Sequence, residues 1–110
     1  MAVYANINAD QGTSFSASVV VTSANGVDAA DLTGFTAQAQ ARRTYTSASS
    51  FPFSAVVSTP ASGLITLTMS SSVTETMSGR YLYDVEVTDS NGIITRVIEG
   101  QFQVTPGITR

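Results

Sequence analysis

The stretch YLYDVEVTDSNGIITRVIEGQF, residues 81–102, contains a strand, a turn and a second strand in direct succession. Its Ser90-Asn91-Gly92 segment is typical of a three-residue hairpin loop in which the glycine is left-handed, so we expect Gly92 to have a positive φ. A loop of this length pairs Asp89 with Ile93. The stretch therefore predicts a β-hairpin with a defined register.

That register places Glu86 opposite Arg96 and Val85 opposite Val97. Asp84 and Glu86 share a strand face, which we predict to be the solvated face of the hairpin. On such a face, Glu86 and Arg96 are expected to form a cross-strand ion pair that contributes about 0.2–1 kcal/mol. These charges are therefore interpreted as architectural.

The apolar residues of the second strand change phase after Glu99, because Phe102 and Val104 follow with the opposite alternation. One extra residue at Glu99-Gly100, a β-bulge, would return them to the inward face. We therefore predict that Gly100 bends the last strand and that a larger side chain there destabilises the domain.

Five segments upstream also alternate apolar and polar residues with a period of two, the pattern of a strand with one buried face. They are VYANINA (3–9), SFSASVVVT (14–22), FTAQAQAR (35–42), FPFSAVVS (51–58) and LITLTM (64–69). FTAQAQAR consists mostly of helix-forming residues, but it lacks the i, i+3, i+4 spacing of an amphipathic helix, so we predict a strand. Pro52 cannot donate a ladder hydrogen bond, which favours an edge position for its strand.

Turn signals separate these segments at Asp10–Gly12, Ser23–Gly26, Asp31–Gly34 and Thr59–Gly63. After the fifth strand, Ser72 and Glu75 have the spacing of a capping box, and Gly79 is placed to end a helical segment. We therefore predict one short helical turn between the fifth and sixth strands.

The pattern as a whole predicts an all-β fold: an immunoglobulin-like antiparallel β-sandwich of about seven strands. Tyr81 stands near the start of the sixth strand, where immunoglobulin-type sandwiches have a corner tyrosine, and Tyr83 takes the place of their core cysteine. The alternative is that both tyrosines only fill the core. Residues 1–110 are predicted to form a single domain with tails at 1–2 and 106–110.

Composition excludes several classes of function. The chain has no Cys and no His, and its five cations are all arginine, so thiolate chemistry, disulfides and the usual neutral-pH base are absent. With a net charge of −3 and only Arg42 and Arg43 adjacent, nucleic-acid binding is not expected. No apolar run is long enough for a membrane helix, and the first residues do not resemble a signal peptide.

Candidate chemical sites are weak. Asp84 and Glu86 could form a carboxylate pair, but on a solvated face they lack the burial that a catalytic acid needs. Asp28 with Asp31, and Asp89 with Asn91, offer loop oxygens, though neither loop has the density of a calcium site; Asp89 is expected to bond its own turn. We therefore predict no enzyme activity and no catalytic, cofactor-binding or metal-binding residue.

A contact patch is possible where the FTAQAQAR strand enters its loop. Arg42, Arg43 and Tyr45 lie there, and Tyr45 and Tyr4 are the tyrosines that fall out of phase with the apolar faces. The alternative is a solvated strand end without a partner.

Several motifs resemble a group of small proteins of tailed bacteriophages and prophages, over roughly residues 12–106. They stand here as Asp31–Gly34, Gly63–Leu67, Gly79–Asp84, Thr88–Gly92, Arg96–Gly100 and Thr105-Pro106. That group is similar to the immunoglobulin-like N-terminal domain of phage baseplate upper proteins.

The resemblance implies a non-enzymatic structural component of the virion, assembled in the cytoplasm of the host bacterium. Its partners would be other virion proteins in multiple symmetric copies, most plausibly at the tail, baseplate or fibre attachment. Docking could use strand addition by residues 2–9 or 104–110. The alternatives are a capsid decoration or neck protein, or a module that binds a host receptor or carbohydrate through exposed aromatics around residues 44–50 or 23–30.

Overall fold

Alternating strands make up most of the protein, whose computed structural model describes residues 3–21 and 31–107. The strands are β1 (Val3–Tyr4), β2 (Ile7–Asp10), β3 (Phe15–Val20), β4 (Thr36–Arg42), β5 (Phe51–Thr59), β6 (Leu64–Met69), β7 (Gly79–Thr88) and β8 (Ile94–Thr105). A 3-10 turn spans Pro60–Ser62, and the short helix α1 spans Ser71–Thr74. The predicted helical turn is therefore present between LITLTM and the final hairpin.

The strands form two layers joined by β5. The larger sheet has the order β1/β2, β8, β7, β4 and the first part of β5, while the smaller sheet consists of β5, β6 and β3. Phe51–Phe53 pair with β4, whereas the residues from Ser54 onward pair with β6. Pro52 thus lies in the outermost strand of the larger sheet, as its missing N–H predicts.

The pairing of β4, β7 and β8 in one layer and of β3, β6 and β5 in the other is the arrangement of an immunoglobulin-type sandwich. The predicted fold class is confirmed. One edge differs from a purely antiparallel sandwich, because β1 and β2 run parallel to β8. Residues 3–4 and 7–10 are thereby paired with β8 along one side and form the edge of the larger sheet, so docking of residues 2–9 on a partner by strand addition stays a prediction.

Aromatic rings from both layers meet in the core. The Phe15 ring of β3 lies 5.2 Å from the Phe102 ring of β8, in an edge-to-face arrangement. Phe53 of β5 packs edge-to-face at 5.0 Å from Phe102 and at 6.2 Å from Tyr83. These contacts hold the two sheets together through the geometry that aromatic pairs prefer.

β4 is a strand despite its helix-forming composition because its alanines lie between large neighbours. Ala39 pairs with Phe53 on one side and with Val85 on the other. Ala41 is fully buried in the equivalent position next to Tyr83. Small residues are needed where a central strand is flanked by aromatic rings, so packing overrides helix propensity.

The hairpin loop has the predicted conformation. Gly92 has a φ of 83°, the Gly92 N–H donates to the Asp89 carbonyl oxygen at 3.0 Å, and the Asp89 N–H donates to the Ile93 carbonyl at 3.0 Å. Glu86 is opposite Arg96, as expected. The register is therefore correct from the loop as far as Arg96.

Beyond Arg96 the predicted register is wrong. Val85 pairs with Ile98 rather than with Val97, because a bulge lies at Val97, between Arg96 and Ile98. Val97 and Ile98 are both buried, which a regular strand does not allow for consecutive residues. The bulge restores the inward phase of the residues that follow, so none is needed at Glu99-Gly100.

Gly100 has a different role from the one predicted. It pairs with Tyr83 on one side, and a Cβ atom on Gly100 would lie only 1.9 Å from the carbonyl oxygen of Ala5. Ala5 lies between β1 and β2, and its N–H donates to the Glu99 carbonyl at 2.8 Å. The absence of a side chain at Gly100 therefore lets the N-terminal segment cross the last strand.

The capping box is also wrong. Helix α1 begins two residues earlier than that motif requires, its N-cap is Ser70, and no side chain caps it. Ser72 lies within the helix, with its Oγ 3.0 Å from Ser70 Oγ. The turns at Asp10–Gly12, Asp31–Gly34 and Thr59–Gly63 are present, and the one predicted at Ser23–Gly26 lies outside the described residues.

Gly100→Ala should lower the free energy of unfolding by about 2–3 kcal/mol, because the added Cβ displaces the Ala5 carbonyl. Gly34→Ala is the matched control: Gly34 has a φ of 83° with open space around its Cβ position, so only backbone strain of about 1–2 kcal/mol is expected. Chemical denaturation measures both. Equal losses would contradict the steric role, as would an Ala5 amide that exchanges with solvent no faster in Gly100→Ala.

Candidate functional site

The outer face of the larger sheet carries a lattice of hydrogen-bonding side chains. Pairing across β4, β7 and β8 brings them into two rows perpendicular to the strands. The first row is Gln38, Glu86 and Arg96, and the second row is Gln40, Asp84 and Glu99. Because these strands are paired on both sides, the positions of the side chains are fixed by the backbone ladders.

Arg96 joins the two rows by diagonal ion pairs. Its Nε lies 3.2 Å from Asp84 Oδ2, and its Nη1 lies 3.6 Å from Glu99 Oε2. The predicted Glu86–Arg96 ion pair is therefore wrong, although the two residues are opposite one another. The bulge at Val97 explains the difference, because it sets Asp84 directly opposite Glu99, and two like charges at such a position favour a shared cation.

A shallow groove of about 290 Å³ lies over this lattice. Leu82, half-buried, lies on the face between the polar rows and the strand ends, and the loop after β4 forms a rim. The lining side chains that carry polar groups are Gln38, Gln40, Arg42, Thr44, Tyr45, Asp84, Glu86, Arg96 and Glu99. The groove is open to solvent and contains both donors and acceptors.

The three residues of the predicted contact patch separate in the structure. Arg42 lines the groove, donates to the Ser47 carbonyl, and donates from Nη2 to Gln40 Oε1 at 3.2 Å. Tyr45, whose exposed fraction is 75%, also lines the groove. Arg43 is not among its lining residues.

Arg43 instead supports the corner tyrosine. Its guanidinium carbon lies 4.2 Å from the centre of the Tyr81 ring, and its Nη1 donates to the Arg80 carbonyl at 3.2 Å. The Tyr81 hydroxyl accepts a hydrogen bond from the Ser78 N–H at 3.1 Å, which is a tyrosine corner closing on backbone just upstream. The guanidinium of Arg43, an exposed residue, thus packs on the Tyr81 ring in a cation–π contact.

Tyr83 links the hairpin to the N-terminal segment. Its hydroxyl donates to the Ala5 carbonyl oxygen at 2.7 Å, and its ring is almost fully buried. Desolvation, with a smaller contribution from Tyr4, raises the pKa of Tyr83 from its ordinary value of 10.0 to about 12. The Tyr83 hydroxyl thus ties β7 to the N-terminal segment within the larger sheet.

The loop aspartates are occupied by their own turns. Asp89 Oδ1 accepts from the N–H groups of Asn91 and Ile93, both at 2.9 Å. Asp31 Oδ1 accepts from the Thr33 N–H at 3.0 Å and from the Thr33 hydroxyl at 2.6 Å, and these bonds lower the pKa of Asp31. Within residues 3–21 and 31–107, no three acidic side chains converge as a metal site would require; Asp28 lies outside that part.

Sequence reasoning did not single out Gln38, Gln40, Leu82 or Glu99 as members of a site. Gln38 and Gln40 were placed correctly on the outward side of their strand, but their neighbours depend on which strand pairs with β4. That pairing joins residues at least 40 positions apart in the chain. The available signal was the shared outward phase of polar residues in β4 and β7.

Comparison with known proteins adds no relative: neither a family model nor a curated protein sequence matches the chain. In the described part of the chain, no helix has the length and apolar character needed to span a membrane. The function of the chain therefore has to be argued from its own residues and their geometry.

A double-mutant cycle should separate the ion pairs. We expect a coupling free energy of about 0.5–1 kcal/mol between Arg96→Met and Asp84→Asn, and a value near zero between Arg96→Met and the control Glu86→Gln. The Arg96–Asp84 coupling should decrease at high ionic strength, since both side chains are partly exposed. Stronger coupling to Glu86 than to Asp84 would show that the diagonal geometry does not persist in solution.

Tyr83→Phe should destabilise the protein at neutral pH by about 1 kcal/mol, because the partly buried Ala5 carbonyl loses its donor. The pKa of Tyr83 is raised on folding, so the associated stabilisation is complete below pH 10 and is lost as the pH approaches 12. Denaturation midpoints should therefore fall across that interval more steeply in the wild type than in Tyr83→Phe. Parallel curves for the two proteins would contradict this role of the hydroxyl.

Proposed function

We propose that this protein is a non-enzymatic structural component of a tailed-phage virion, located at the tail, baseplate or fibre attachment, where it docks on neighbouring virion proteins. Two things support the proposal. The motifs from Asp31–Gly34 to Thr105-Pro106 resemble small phage proteins, and the outer face of the smaller sheet carries no charged side chain.

The smaller sheet carries no charge. None of its three strands, β3, β5 and β6, contains an acidic or basic residue, although the chain has 13 of them, with 5 basic and 8 acidic. Its outward positions hold hydroxyls and three aliphatic side chains. They are Ser16, Ser18, Val20, Ser54, Val56, Ser58, Leu64, Thr66 and Thr68.

A face of this kind can be covered at low cost. Burying a charged group requires a partner to offset its desolvation, whereas hydroxyls can bond to one another, as Thr66 Oγ1 does with Ser58 Oγ at 3.0 Å. The centres of protein interfaces are depleted in Lys, Glu and Asp for this reason. Val20 and Val56 are each more than half exposed, so they add apolar area that a partner would bury.

The smaller sheet has two edge strands, β3 and β5, which lie on either side of β6 and run in the same direction. Exposed edges are usually protected by charges, because an open ladder can pair with another chain. β3 and β5 have no such charge. In an assembly with symmetric copies, a modest contact on each subunit is multiplied by the symmetry, so weak single interfaces suffice.

Val56→Lys tests the proposal, because it places a charge on the outer face, in the edge strand β5, without entering the core. We expect an unchanged melting temperature of the isolated protein and a strong loss of its incorporation into phage particles, quantified by mass spectrometry of purified virions. Ile94→Lys is the matched control: Ile94 is 63% exposed, compared with 56% for Val56, and it lies on β8 of the other sheet. It should be incorporated normally.

Particles that lack the wild-type protein altogether would refute the virion assignment. Normal incorporation of Val56→Lys would refute the proposed face. A reconstruction of the intact particle would distinguish a tail position from a capsid or neck position.

A further inference from the structure

The groove on the larger sheet has free hydrogen-bonding capacity. Among the described residues, the side chains of Gln38 and Glu86 have no hydrogen-bond or ion-pair partner. Gln40 uses its Oε1 to accept from Arg42, which leaves its amide NH₂ group to donate elsewhere. Donors and acceptors therefore alternate along one rigid face and point toward the same open space.

Arg96 and Arg42 hold the carboxylates and amides in place. Arg96 fixes Asp84 and Glu99, and Arg42 fixes Gln40 while tying the loop after β4 through the Ser47 carbonyl. A ligand would therefore meet a preorganised array rather than one that must be ordered on binding, which lowers the entropic cost of association.

Tyr45 supplies an aromatic surface at the rim. Its side chain is 75% exposed, the largest exposed fraction among the large apolar and aromatic residues of the described chain. Tyr45 does not belong to the buried core. A tyrosine ring beside polar groups can pack against the C–H face of a sugar while the polar groups bond to the hydroxyls.

The balance of charge selects the class of ligand. The groove presents three carboxylates, those of Asp84, Glu86 and Glu99, against the two guanidinium groups of Arg42 and Arg96. This balance disfavours phosphate and other anions, and Arg96 is already paired with Asp84 and Glu99. A neutral ligand with many hydroxyls can use both donors and acceptors.

We propose that this groove binds a neutral oligosaccharide, with Tyr45 stacking on one sugar ring and Gln38, Gln40 and Glu86 bonding to hydroxyl groups. Its volume, about 290 Å³, is just below the ~300–1,000 Å³ range of ligand pockets and suits one or two sugar units. The groove is on the opposite sheet from the proposed docking face. It would remain accessible after docking, and the binding proposal does not depend on the virion assignment.

The test is an NMR titration of the ¹⁵N-labelled full chain with maltoheptaose, cellohexaose, mannohexaose and chitohexaose, followed by backbone amide shifts. We expect at least one sugar to cause saturable shifts centred on Gln38, Gln40, Leu82 and Asp84, with a Kd on the order of 1 mM. Tyr45→Ala and Gln38→Ala should weaken binding about tenfold, which corresponds to about 1.4 kcal/mol.

Two controls make the result specific. Tyr45→Phe keeps the ring and should bind within about threefold of wild type, a change below about 1 kcal/mol. Gln103→Ala removes an exposed glutamine from β8 that does not line the groove and should have no effect. Val56→Lys should also bind normally, so a failure of the docking proposal would be distinguishable from a failure of this one.

The proposal is overturned if none of the four sugars gives saturable shifts up to about 10 mM, a concentration that would largely fill a millimolar site. It is also overturned if the shifts map outside the groove or if Tyr45→Ala and Gln38→Ala bind as well as wild type. Saturation of the groove by hexa-arginine, with no response to the sugars, would assign it to a basic peptide instead.

Discussion

The carbonyl group of Ala5 makes the contact on which the closure of the larger sheet depends. It occupies the space that a side chain at Gly100 would fill, and it accepts the hydroxyl of Tyr83 at 2.7 Å. This carbonyl lies where β1 and β2 pair with β8. As a result, β8 has β7 on one side and β1 and β2 on the other. The Tyr83–Ala5 hydrogen bond thereby connects residues 78 positions apart in the chain within the larger sheet.

Local alternation was sufficient to predict the strands and most of their inward faces. The case of β4 shows why. Ala39 and Ala41 alternate with polar residues and lie on one buried face, and this alternation predicts a strand even though alanine favours helices. The hairpin loop was equally predictable, since Gly92 and its neighbours determine their own geometry. The parallel pairing of β1 and β2 with β8 was not predictable, because it joins segments more than 90 residues apart and has no local sequence signal.

The misplaced bulge and the misplaced ion pair have one cause. The change of apolar phase after Glu99 predicted a bulge at Glu99-Gly100, whereas the adjacent buried residues Val97 and Ile98 mark the actual position. Moving the bulge by two residues changes which side chains are opposite one another, so Arg96 meets Asp84 and Glu99. The residues that line the candidate groove are brought together by that register. Knowing which face of each strand is exposed is therefore not sufficient to identify them.

Charge is distributed unequally between the two layers, and this distribution bears on how the domain could work. The larger sheet carries the carboxylates and guanidinium groups on strands whose ladders are satisfied on both sides, so its outer face combines solubility with rigidity. The smaller sheet is free of charge in all three strands. Covering the smaller sheet would remove uncharged surface from water and leave the charged lattice exposed. Because sandwich layers pack about 10 Å apart, contact on one face would leave the other available for a second partner.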